Sequence, residues 1–143
     1  MKILLSIKPQ YVLEIKKGTK KYEYRKNIFK KDVDKVIIYC TQPVGKIVAE
    51  FEINEIINDS PKEVWNKTAL SSGISKDKYE EYFKNSKQCY AIGISKLVEY
   101  SNPIDPYLVD KEFCAPQSYQ YISEEKYKML YALKEYEIVL AKA

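Results

Sequence analysis

The chain has no histidine, and only one of its 24 basic residues, Arg25, is arginine. The first absence excludes a Ser-His-Asp or Cys-His pair within the chain. It also excludes zinc, haem and non-haem iron sites that depend on imidazole. Glycine is scarce: Gly18, Gly45, Gly73 and Gly93 are the whole set. No two of them fit one phosphate loop, so neither a Walker loop nor a dinucleotide fingerprint can be written. Cys40, Cys89 and Cys114 are odd in number and form no CxxC. A disulfide framework or zinc ribbon is thereby disfavoured, and the three read as buried thiols. No apolar run approaches the roughly 18 residues of a membrane span. The opening apolar stretch, Ile3 to Ile7, is too short for a signal peptide and stops at Lys8-Pro9. These absences lead to the expectation of a cytoplasmic protein with no membrane partner, no metal and no cofactor.

What is present fits one globular domain over residues 1–143, with 45% hydrophobic and 31% charged side chains. Lysine, isoleucine, asparagine and tyrosine are abundant, a usage that suggests an AT-rich bacterial or phage genome. The charge is uneven. Residues 1–46 carry 12 basic and 4 acidic side chains, whereas residues 47–143 carry 12 basic and 16 acidic. A net of +8 joined to a net of −4 points to a polyanion-facing surface, or to a lysine-rich solvated face.

Ile3 to Ile7 reads as a strand. Pro9 suits the first position of a helix and Gly18 its C-terminal cap. Lys20 to Lys26 alternates, so Tyr22 and Tyr24 share one face while Lys21, Glu23 and Arg25 share the other. Val36 to Cys40 is an unbroken β-branched run, as expected of a strand buried on both faces. From Lys46 to Ile57 the alternation turns Ile47, Ala49, Phe51 and Ile53 inward and Val48, Glu50 and Glu52 outward. Ser60-Pro61-Lys62-Glu63 is a capping box with proline at the first helical turn, opening a helix to about Leu70. Ser75 caps a second helix carrying Tyr79, Tyr82 and Phe83. Cys89 to Val98 is a strand whose Gly93 marks a bulge or close approach. Asn102 to Pro116 is a loop, Ser123 caps a helix to about Leu133, and Glu137 to Leu140 is read as a closing strand. The total is an α+β fold with about five or six strands.

Three stretches carry a family resemblance. They are Leu5-Ser6-Ile7-Lys8-Pro9-Gln10-Tyr11 with Ile15 to Lys26, then Trp65 through Gly73-Ile74-Ser75 to Phe83, then Pro116-Gln117-Ser118-Tyr119-Gln120-Tyr121. Together they resemble the ASCH domain of the PUA-like superfamily. That resemblance implies a small curved β-barrel with helices packed over one opening, and a cleft that binds RNA or nucleotides. It places Lys8, Lys20, Glu23, Arg25 and Lys26 at the cleft, together with Thr41, Gln42, Gln117, Ser118 and Tyr119.

In that setting Arg25 offers a planar fork for a phosphate or base edge. Glu23 steadies the fork or accepts from an exocyclic amine. The alternative is a same-face ion pair on an exposed strand, worth under about 1 kcal/mol. Lys8 and Lys26 suit phosphate contacts that position rather than specify. Most tyrosines are expected to pack, with Tyr39, Tyr90 and Tyr119 as candidates for base contact. One branch of the family resembles N4-acetylcytidine amidohydrolases, which implies Lys20 and Glu52 as catalytic residues. The threonine of that branch falls on Glu23, and neither Thr19 nor Thr41 sits at the matching place. A binding module is therefore expected. The alternative is a metal-free enzyme on RNA or a modified nucleoside, with Lys20 as the base.

Overall fold

A computed structural model describes the backbone of residues 1–142 and the side chains of residues 1–134. The strands are β1 (Lys2–Ile7), β2 (Tyr22–Arg25), β3 (Lys35–Cys40), β4 (Lys46–Asp59), β5 (Cys89–Ile104) and β6 (Tyr119–Ile122). The helices are α1 (Pro9–Lys17), α2 (Pro61–Thr68), α3 (Lys76–Phe83) and α4 (Glu124–Lys142). One six-stranded sheet runs in the order β2-β5-β4-β3-β1-β6. Its β1–β3 pair is parallel and the others are antiparallel.

Local chemistry accounts for the helix ends. Pro9 sits in the first turn of α1, and Gly18 closes it at φ 83°, a left-handed conformation that suits glycine. The Ser60 hydroxyl accepts from the Glu63 amide, the Ser75 hydroxyl from the Lys78 amide and the Ser123 hydroxyl from the Lys126 amide, so the three serine caps read from the sequence are in place.

The sheet is covered on both faces. Ile3, Leu5 and Ile7 of β1, with Val36, Ile38 and Cys40 of β3, point into a core closed by Val12 and Ile15 of α1. The intervening Leu4, Ile37 and Tyr39 point the other way, into a second core beneath Leu130 of α4. Two-sided burial is why β3 reads as an unbroken apolar run. A third cluster fixes α2 and α3 to the β2–β5 edge through Val64, Tyr79, Phe83, Tyr24 and Cys89.

Several expectations are corrected. The sheet does not close into a barrel: β2 and β6 are its two edges, and no backbone ladder joins them. The segment Glu137–Leu140 belongs to α4, because β6 already occupies the edge of β1 where a closing strand would pair. β5 runs to Ile104 rather than Val98, bending through register shifts against β4. Gly93 serves that bend, since a Cβ there would stand 2.0 Å from Asn54 Oδ1. Cys40 and Cys89 are buried, but Cys114 is exposed.

Glu50, read as outward, is buried under α4. Its carboxylate meets Lys35 at 2.7 Å and Lys134 at 3.7 Å, and accepts from the Tyr100 hydroxyl at 2.8 Å. Alternation placed it on the polar face, but α4 covers that face. Burial pushes its carboxyl up. The bonds from Lys35 and Tyr100 and the charges of Lys35 and Lys134 outweigh this and hold it below its ordinary value. A depressed carboxyl contributes stability above its unfolded value, and loses it as pH falls through the folded one. Glu50→Ala is therefore expected to lower unfolding stability by about 3 kcal/mol at neutral pH, since it strips a buried pair of one partner. In urea melts the gap from the native chain should shrink as the pH drops below about 4. A gap constant from neutral to acid pH would contradict this.

Candidate functional site

The site is built where α1, β2 and the α2–α3 insert meet. Gly18 turns the chain out of α1 so that Lys20 arrives beside the insert, where it forms an antiparallel bridge with Ser72. The Lys21 amide donates to Ser71 O at 2.8 Å. The approach is close: a Cβ on Gly73 would lie 2.2 Å from Lys20 Cβ and 2.8 Å from Lys20 Cα. Gly73 also has φ of +62°, so two independent constraints demand glycine there.

The Lys20 side chain is 1% exposed. Its ammonium donates to Ser72 O at 3.0 Å and stands 3.7 Å from Glu23 Oε1. The rings of Tyr24 and Tyr11 lie 4.8 and 5.3 Å away. Burial holds this ammonium below the usual lysine value; the Glu23 charge opposes the shift, and Arg25 reinforces it.

Glu23 is the carboxylate between the two cations. It accepts from the Tyr24 amide at 3.2 Å and faces Arg25 Nη2 at 3.5 Å. Arg25 then crosses from β2 to the far side of the sheet. Nη2 donates to Ser6 O of β1 at 2.6 Å, and Nη1 to Ser118 Oγ at 3.2 Å. The Ser6 hydroxyl donates to Pro116 O at 2.7 Å, and its amide to Ser118 O at 3.1 Å. The two ends of the sheet are thus tied by an arginine side chain, in place of the backbone ladder of a closed barrel.

Above this row opens a cleft of about 750 Å³. Its charged lining is Lys8, Lys20, Arg25 and Lys78 against Glu23, Asp77 and Glu81. The signs are nearly balanced, four cations against three carboxylates. Among the described residues no group of three or more Cys, Asp or Glu side chains could hold a metal ion. No described helix is long and apolar enough to cross a membrane.

Of the residues expected at the cleft, Lys8, Lys20, Glu23, Arg25, Thr41 and Gln117 line it. Ser118 stands behind, holding Arg25. Lys26 is at the rim, 4.4 Å over the Tyr82 ring. Gln42 and Tyr119 lie outside the lining, and Tyr119 packs edge-on against Phe29 in the main core. Tyr39 is likewise core, against Phe113. Glu52 does not join Lys20: it is half-exposed and paired with Lys96 at 3.2 Å. The Thr19 hydroxyl is engaged with Glu14. The lysine–threonine–glutamate arrangement of the amidohydrolase branch is therefore not assembled here.

The sequence reading missed Ser6, Tyr11 and Tyr82. The first two were legible, lying in the Ser6 to Tyr11 motif beside Lys8. Tyr82 was not, because its spacing from Tyr79 matches a packing face, and its turn toward the cleft depends on how α3 docks. The basic N-terminal third is also partly neutralised within the fold, through Lys35–Glu50 and Lys2–Glu124.

Two outcomes follow from this geometry. Gly73→Ala should destabilise the chain by about 1–3 kcal/mol in denaturant melts, because the Lys20 backbone cannot yield. Gly18→Ala, with open space around its Cβ, should lose less. Glu23→Gln should lower the pH at which Lys20 deprotonates, since it removes the charge that opposes burial. NMR titration of the Lys20 Nζ signal reads this directly, and an unchanged midpoint would count against the coupling.

The fold and site have relatives. The ASCH domain family model matches residues 5–98. A stretch of 104 residues is 36% identical to part of ATP synthase subunit alpha of Ureaplasma parvum, covering 72% of this chain and 13% of that protein. A stretch of 90 residues is 30% identical to part of large ribosomal subunit protein uL22 of the same species, covering 62% of this chain and 28% of that protein. The chain spans well under a third of the length of these curated relatives. Among solved structures, ASCH from Zymomonas mobilis superposes with a TM-score of 0.86 at 21% identity, over 92% of this chain and 94% of that one. The N-terminal domain of Staphylothermus marinus McrB gives 0.60 at 14% identity, over 92% and 93%. At these identities the structural likeness is one of fold. The family model covers more than half of the length and holds the Lys20–Glu23–Arg25 row, so the chain belongs to the ASCH domain family.

Proposed function

We propose that the chain binds single-stranded RNA or a nucleotide in the cleft between α1, β2 and α3. The observation that carries this reading is the convergence of Lys8, Lys20, Glu23 and Arg25 on one opening of about 750 Å³. A volume in that range suits a ligand of nucleotide size. Lys8 supplies a phosphate contact as a point charge, and Arg25 adds its charge and the N–H groups that Ser6, Ser118 and Glu23 leave unused. Gln117 and Thr41 offer uncharged hydrogen-bonding groups on the same walls. The similarity to a segment of a ribosomal protein supports RNA as the polyanion. The similarity to a segment of an ATP synthase subunit is consistent with a module used in more than one setting. The same reading takes residues 1–143 as one cytoplasmic domain without a cofactor.

A second reading is supported by Lys20 itself. A buried ammonium held below its usual lysine value gives up its proton more readily than a free one, so it can act as a base without histidine. Its neutral amine would take the proton of a ribose 2′-hydroxyl. The 2′-oxygen would then attack the adjacent phosphorus, the 5′-oxygen would leave, and the lysine ammonium would return the proton to it. The products are a 2′,3′-cyclic phosphate and a 5′-hydroxyl end.

Fluorescence anisotropy with a labelled RNA hexamer tests the binding reading. Two or three phosphate contacts to a single strand should weaken binding by roughly tenfold between about 50 and 200 mM salt. Arg25→Lys should weaken binding further, with the circular dichroism spectrum retained but the urea midpoint lowered, because the fork both faces the cleft and ties β1 to the segment before β6. Salt-independent affinity, or an Arg25→Lys chain that binds as the native one does, would overturn this reading. Incubation of the same RNA in a chelator decides the second: cleavage that Lys20→Met abolishes supports it, and intact RNA excludes it.

A further inference from the structure

The floor of the cleft holds a feature that phosphate binding does not use. Glu23 has a side chain 9% exposed, yet neither cation closes on it. Arg25 stands at 3.5 Å and Lys20 at 3.7 Å. A closed charge-assisted bond is about 2.7–2.9 Å. Both cations make shorter bonds elsewhere, Arg25 to Ser6 O at 2.6 Å and Lys20 to Ser72 O at 3.0 Å. An ionised carboxylate has about four lone-pair sites, so beyond the Tyr24 amide at 3.2 Å and Arg25 Nη2 at 3.5 Å Glu23 retains capacity to accept. A phosphate ligand gives it nothing to accept and meets a like charge.

Two tyrosines share the cleft lining with this carboxylate. Tyr11 lines the cleft from α1 and Tyr82 from α3. Burial raises both hydroxyls and the Glu23 charge adds to it, while at Tyr82 the Arg25 charge opposes the rise. Tyr82 remains 44% exposed, with Lys26 against its ring. Aromatic side chains on cleft walls are what a planar base stacks on, at a gain that tolerates any base. The carboxylate in the same lining is where a base edge would be read, and carboxylates select N–H donors.

Resting on the RNA or nucleotide reading, we propose that Glu23, with Tyr11 and Tyr82 of the same lining, is a subsite for a nucleobase carrying an exocyclic amino group. Cytosine and adenine present that amino group to the carboxylate, and guanine presents two neighbouring donors. Uracil presents one N–H between two carbonyl oxygens, so the carboxylate meets an oxygen on either side of it. Lys8 and Arg25 are left to the phosphates, and Glu23 becomes the group that distinguishes the bases.

The test compares labelled hexamers of cytidine, adenosine, uridine and N4,N4-dimethylcytidine by anisotropy. The dimethyl base keeps the cytosine ring but has no N–H to donate. The cytidine and adenosine hexamers should bind roughly tenfold tighter than uridine, the discrimination expected of a good base contact. The dimethyl hexamer should bind as uridine does. Glu23→Gln should bring all four within about twofold, because an amide serves donors and acceptors alike. Equal binding of the four hexamers to the native chain would overturn this inference and leave the cleft reading standing. A preference that survives Glu23→Gln with a native spectrum would remove Glu23 from the role. Should that variant fail to fold, the dimethyl hexamer decides: binding equal to cytidine overturns the assignment. No binding of any hexamer would overturn the reading beneath it.

Discussion

A carboxylate with 9% of its side chain exposed sits between a buried ammonium and a guanidinium, and each of those cations fastens a different part of the chain. Lys20 reaches the α2–α3 insert through Ser72, and Arg25 reaches β1 and the segment before β6 through Ser6 and Ser118. Without Glu23, two like charges would face each other across a poorly solvated cleft. With it, three regions distant in sequence are held at one floor. The arrangement also explains why arginine stands at position 25. The bonds to Ser6 and Ser118 leave from two separate nitrogens of a rigid planar fork, whereas the three N–H groups of a lysine radiate from a single nitrogen.

The same ion row defines what the sheet can and cannot do. A fully closed barrel would satisfy the β2 and β6 edges with backbone bonds and leave no opening between them. Here the gap is spanned by the Arg25 side chain, so the edges stay apart and the cleft lies over the gap. The apolar cores do the holding elsewhere: α1 on one face, α4 on the other, with Glu50 as the buried polar anchor under α4. The fold thus keeps two buried carboxylates with opposite uses. Glu50 is closed on by Lys35 at 2.7 Å and serves packing. Glu23 is left loosely held and faces the cleft.

What was legible in the sequence was local. Pro9 and Gly18 bound α1 because caps and fixed φ values act within a few residues. Ser60 and Ser75 read correctly for the same reason. The row Lys20, Glu23 and Arg25 was named through its motif, whereas alternation alone groups Lys21, not Lys20, with Glu23 and Arg25. The failures are all tertiary. Alternation made Glu50 and Glu52 equivalent, but α4 covers one and leaves the other beside Lys96. The segment Glu137–Leu140 had strand-like composition, but the edge it would have joined was filled by Tyr119–Ile122. Tyr119 was taken for a ligand contact because its neighbours Gln117 and Ser118 are polar, and pairing with β1 turns it into the core. Tyr82 was passed over because its spacing matches a packing face.

The central claim is that one cleft, floored by Glu23, is where this chain meets nucleic acid. The most direct measurement is NMR mapping of a short single-stranded RNA titrated onto isotope-labelled protein, following backbone amides together with lysine and arginine side chains. The largest shifts are expected on Lys8, Tyr11, Lys20, Glu23, Arg25, Tyr82 and Gln117, with α4 and the exposed lysines between β2 and β3, Lys30 and Lys31, unmoved. Shifts concentrated on Lys30, Lys31 or the exposed face of α4, with the Lys20 and Arg25 signals unchanged, would contradict it.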